Sequence, residues 1–75
     1  MRPIPSITMI DPDGCEVWFG PLTTWLRCSG WSRAIGWRAI AADLRACAAE
    51  SPPEPVALLG ADGEPEFYLS LVAQP

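Results

Sequence analysis

The chain has 75 residues, a formal net charge of −4, three cysteines, no His and, among its five basic residues, no Lys. This is one domain at the size where a single apolar core is only marginally sufficient. The inventory excludes a His-containing zinc site and the usual near-neutral general base of an enzyme.

Cys15, Cys28 and Cys47 are an odd count with no close spacing, which fits reduced thiols better than a disulfide framework. Stability must then come from bulk apolar residues. Four Trp, two Phe and one Tyr supply it, at roughly 150–250 Å² of buried surface per ring. Met1-Arg2-Pro3-Ile4-Pro5 lacks the apolar run of a signal peptide, and no stretch approaches a membrane span. A cytoplasmic location in a bacterial host cell is the default expectation.

In chain order, Ser6-Ile7-Thr8-Met9-Ile10 is β-branched and apolar and runs into Asp11-Pro12-Asp13-Gly14, a strong turn signal. Cys15 to Phe19 follows as a second strand, giving a hairpin over 6–19. Strict alternation puts Cys15, Val17 and Phe19 on one face, and Glu16 and Trp18 on the other. Gly20-Pro21 opens a short helix over 21–28, in which Leu22, Trp25 and Leu26 recur at helical spacing. The main helix is expected over 32–49, with Ser32 as its N-cap. Its apolar stripe is Trp37, Ile40, Ala41, Leu44, Cys47 and Ala48. A Pro-rich loop over 51–55 stops the helix, and a second hairpin over 56–73 turns at Gly60-Ala61-Asp62-Gly63. Phe67, Leu69 and Leu71 share one face of its longer strand; Tyr68, Ser70 and Val72 share the other.

The order ββ-α(α)-ββ predicts an α+β single domain over 1–75. Its economical form is a four-stranded antiparallel sheet of two hairpins packed on one main helix. The alternative is two small sheets gripping the helix from both sides.

Function is sought in residues that this packing leaves over. Trp31 and Ile35 lie off the main stripe, on a second track completed by Ala39, Ala42, Ala46 and Ala49. That track either is covered by the 21–28 helix or meets a partner. Arg38 and Arg45 are seven apart on one edge of the helix, suited to bidentate contact with carboxylates or phosphates; pairing with the acidic C-terminal third is the bland account. Trp18 and Tyr68 are expected on the sheet face that the helix leaves bare, as aromatic interface anchors, or packed against each other or under a loop.

The charge is uneven. Residues 1–26 sum to −2, residues 27–45 to +3 through Arg27, Arg33, Arg38 and Arg45 against Asp43, and residues 46–75 to −5. Asp62, Glu64, Glu66 and Glu54, with Asp11, Asp13 and Glu50, form an acidic loop set. It either keeps the chain soluble or competes for a basic groove as a nucleic-acid mimic would. Four arginines in an acidic chain give a poor counterion-release term, which argues against direct nucleic-acid binding. Neither Asp-Gly turn has the ligand spacing of a calcium loop, no Gly-rich phosphate loop is present, and no cofactor or metal is expected.

The reading is a non-catalytic protein-binding module, a small inhibitor or adaptor of a larger protein or nucleoprotein complex. In size and composition alone it is similar to small inhibitors from phages and mobile elements, including anti-CRISPR proteins, a likeness that transfers no residues. Its sharpest form is a phage-encoded antagonist that sterically blocks a nucleoprotein defence complex. The competing expectation is a homodimeric or larger self-assembling structural protein of bacterial or phage origin.

Overall fold

A computed structural model describes residues 5–72. The expected hairpin end at residue 73 and the first four residues lie outside the described range. Strands β1 (Ser6–Ile10) and β2 (Glu16–Pro21) form the first hairpin. Helices α1 (Leu22–Cys28), α2 (Gly30–Ile35) and α3 (Trp37–Ala48) follow. Strands β3 (Val56–Leu59) and β4 (Pro65–Leu71) form the second hairpin. All four strands join in one antiparallel sheet of order β2-β1-β4-β3, with the helices on one face.

The two hairpins are built by the same local chemistry. In the first, the Gly14 amide donates to the Asp11 carbonyl at 3.0 Å and the Asp11 amide to the Cys15 carbonyl at 2.9 Å. In the second, Gly63 donates to Gly60 at 3.0 Å and Gly60 to Glu64 at 2.9 Å. Gly14 and Gly63 sit at φ 90° and 82°, which only glycine adopts without strain. Asp11 Oδ1 accepts from the amides of Asp13 and Cys15, and Asp62 Oδ1 from that of Glu64.

A bulge adjoins each turn. Met9 pairs with Trp18 but Ile10 with Glu16, leaving Val17 extra; Leu58 pairs with Phe67 but Leu59 with Pro65, leaving Glu66 extra. The first bulge overturns the expected faces of β2. Strict alternation puts Trp18 beside Glu16, but the extra residue returns Glu16 to the open face, where Thr8 Oγ1 donates to its Oε1 at 2.7 Å. Trp18 packs on the helix-side core, while Val17 and Phe19 are exposed.

The helix region also differs from a single helix over 32–49. Gly36 lies at φ 104°, ψ 126° and divides it, because this backbone conformation ends α2 and restarts the chain as α3. Ser32 is not the N-cap. Ser29 is: its extended backbone closes α1, and its hydroxyl accepts from the Trp31 amide at 3.1 Å. Ser32 instead lies buried inside α2.

The core is Ile7, Trp25, Ile40, Leu44, Leu58 and Leu69, with Met9, Trp18, Leu22, Leu26, Trp31, Val56, Phe67 and Leu71 packed around it. The α3 stripe is therefore used through Ile40, Ala41 and Leu44. Trp37 belongs to the same stripe but is 55% exposed and is not among the residues packed against the core.

Candidate interaction surfaces

Two surfaces remain after the core is assembled. The first is the sheet face opposite the helices. Register places Phe19, Thr8 and Ser70 in one row across it, and Glu16, Ile10, Tyr68 and Ala57 in the next. Leu59 continues the same face of β3 by alternation with buried Leu58. Phe19 is 58% exposed, Leu59 50% and Val17 46%. Ile10, Tyr68 and Ser70 floor a shallow groove of about 340 Å³ walled by Pro12, Gly14 and Pro55.

This face has an acidic border. β1 runs antiparallel to β4 with Ile10 opposite Tyr68 and Ile7 opposite Leu71, so both hairpin turns project from the same end of the sheet. Asp11, Asp13 and Glu16 come from one hairpin, and Asp62, Glu64 and Glu66 from the other. The turns are two strand spacings apart across the sheet, and the second lies farther out, because β4 continues from Tyr68 to Pro65 past the end of β1.

The second surface lies on the helix layer. Thr23, Leu26 and Arg27 of α1 line an open groove of about 400 Å³ with Trp37. The Arg38 guanidinium carbon stands 5.0 Å from the centroid of the Trp37 ring, a cation–π distance. Ile35, just before the Gly36 break, is 48% exposed.

The residues singled out from sequence are dispersed over these surfaces. Tyr68 lies on the open sheet face, but Trp18 does not accompany it; the two are on opposite faces and do not pack together. Trp31 is half-buried against the core while Ile35 faces solvent. The break at Gly36 separates both from Ala39, Ala42 and Ala46, so the expected two-sided helix does not form. Arg38 and Arg45 are exposed on α3. Asp43 is displaced about 140–160° around the helix from them, and no side-chain hydrogen bond among the described residues involves an arginine. Asp62, Glu64 and Glu66 cluster at the turn end, whereas Glu54 lies in the proline loop beside Leu44 and Ala48.

Sequence reasoning misses Phe19, Leu59 and Trp37. Alternation assigns Phe19 to the buried face because the Val17 bulge has no local signature. Leu59 adjoins Leu58 in an apolar run that does not reveal its own orientation.

Cys15 and Cys28 are exposed and Cys47 half-buried, all as free thiols. Among the described residues, no three His, Cys, Asp or Glu side chains come together as a metal-binding group, and no helix is long and apolar enough to cross a membrane. Comparison with protein-family models, curated proteins and solved structures finds no match.

Proposed function

We propose that the chain is a non-catalytic protein-binding module, an inhibitor or adaptor, that docks through the open face of its sheet. The observation that carries this reading is the side of the sheet turned away from the helices, where Phe19 and Leu59 are exposed and Ile10 and Tyr68 line a shallow groove between them. The largest apolar patch on a protein surface is often functional, and Phe and Tyr are residue types enriched in interface cores.

Magnitude narrows the partner. Four strands of about five residues span roughly 300 Å² in projection. A stable interface takes about 800 Å² from each side. The apolar face alone falls short, so the acidic turn end must contribute. The partner surface is then apolar where it meets the sheet and basic where it meets the turn end, as the edge of a nucleic-acid groove on a nucleoprotein complex would be. The same shortfall weighs against two copies stacking sheet to sheet.

In its most specific form the module is a phage- or mobile-element-encoded antagonist of a bacterial defence complex. The support for that form is the acidity of the chain and the acidic turn end beside the apolar face. Affinity capture from host lysate at two salt concentrations, with light scattering of the isolated chain, tests the proposal. The expected result is one stoichiometric partner whose retention falls with salt. Self-association without a foreign partner would favour the structural-assembly reading instead.

A further inference from the structure

We infer that the groove between α1 and α3 is a second docking site, for an acidic segment of a protein partner that inserts one bulky apolar side chain. It shares no residue with the sheet face and stands independently of the function proposed for that face.

Three observations converge on this occupant. First, Trp37 continues the stripe of Ile40, Ala41 and Leu44, yet it is 55% exposed. The core therefore stops one turn short of its own apolar stripe, and Leu26 faces the open space across the groove. Its volume of about 400 Å³ lies within the roughly 300–1,000 Å³ typical of ligand clefts, ample for one large side chain. Second, the rim is cationic. Arg27 lines the groove and Arg38 stacks on the Trp37 ring. Third, among the described residues no side-chain hydrogen bond uses either guanidinium, so the N–H groups of Arg38 stay available beside its stacking on Trp37, and Asp43, the one acid in residues 27–45, lies on the other flank of α3.

An apolar floor with a guanidinium rim is complementary to an apolar anchor flanked by carboxylates, because Arg meets carboxylates in forked geometry. The apolar Leu26-Trp37 lining favours a short peptide with an apolar anchor over a nucleic acid, whose extended backbone would run beyond the groove toward the acidic sheet end. The module thus presents an acidic-bordered face on its sheet and a basic-bordered groove on its helices.

The test is NMR titration of the full chain with three probes: a short Glu/Asp peptide carrying one central Phe, the same peptide with Ala for Phe, and a single-stranded oligonucleotide. The expected result is saturable shifts at the Trp37 indole, Thr23 and Leu26 with the Phe peptide. The Ala peptide should bind at least about tenfold more weakly. Arg27→Gln with Arg38→Gln should lower affinity about fivefold or more, and Trp37→Ala at least about tenfold. Both changes lie at exposed side chains, and dispersed spectra of the variants confirm folding. Phe19→Thr should leave this binding unchanged. No saturable shift, equal binding of the Ala peptide, preferential binding of the oligonucleotide, or shifts centred elsewhere would each overturn the inference.

Discussion

The ring of Trp18 lies on Gly20: a Cβ added at Gly20 would stand 2.9 Å from the ring's Cη2 and 3.3 Å from Cζ2. Both residues face the helix side of β2, two positions apart, and Gly20 is buried beneath the indole. The glycine leaves room for a ring that its own strand supplies, an intrastrand form of aromatic cover over a strand glycine. Trp18 is thereby held against the core on an edge strand that has only one neighbour.

Gly20→Ala should therefore destabilise the fold by overpacking, by about 1–3 kcal/mol, despite the better strand propensity of Ala. In a Trp18→Leu background the same change should cost clearly less. Urea denaturation of the four-member cycle measures the coupling. Equal costs in both backgrounds would mean that the ring does not rest there.

The two glycines of the hairpin turns should behave as a pair. Gly14 and Gly63 hold the same left-handed position in the same turn, and each has open space where a Cβ would stand. Alanine at either should cost about 1–2 kcal/mol through backbone conformation alone. Thermal unfolding of both variants checks the match.

Gly36→Ala should cost more than an ordinary surface change, because φ 104° with ψ 126° is a conformation that residues with a Cβ rarely adopt. An unfavourable backbone of this kind is worth about 1–3 kcal/mol. The variant should also show altered amide shifts through α2, where the relief of strain would draw Gly36 toward a continuous helix.

Leu44 and Trp37 occupy one helical stripe but should respond differently. Leu44 is 2% exposed, so Leu44→Ala should lose about 2–5 kcal/mol, much of the stability of a domain this small. Trp37→Ala should cost clearly less than Leu44→Ala, because more than half of the Trp37 side chain is already in solvent. Denaturation midpoints separate the two, and a loss at Trp37 as large as that at Leu44 would show the ring to be core after all.

These contrasts mark what is legible in the chain. The Asp11-Pro12-Asp13-Gly14 and Gly60-Ala61-Asp62-Gly63 segments announce their turns through residue chemistry, and the alternation of Phe67, Leu69 and Leu71 gives the buried face of β4. That face is legible because the Glu66 bulge precedes Phe67. In β2 the bulge falls inside the alternating run, and a single extra residue moves Trp18 and Glu16 to opposite faces. The stripe on α3 is visible as well, but periodicity states which side of a helix is apolar, not where its cover ends. Trp37 is exposed for that reason. Gly36 stands in the sequence as one tolerated glycine in a helical pattern; its dividing role lies in its backbone conformation, which the sequence does not state.

The account turns most directly on the open face of the sheet. The decisive measurement is partner capture by Phe19→Thr, a change that keeps strand propensity, compared with Trp37→Ser and the unaltered chain at matched concentration. The prediction is that Phe19→Thr retains its fold and loses at least about tenfold in partner affinity, while Trp37→Ser keeps the sheet-face partner. Capture undiminished by Phe19→Thr in a folded protein would contradict it.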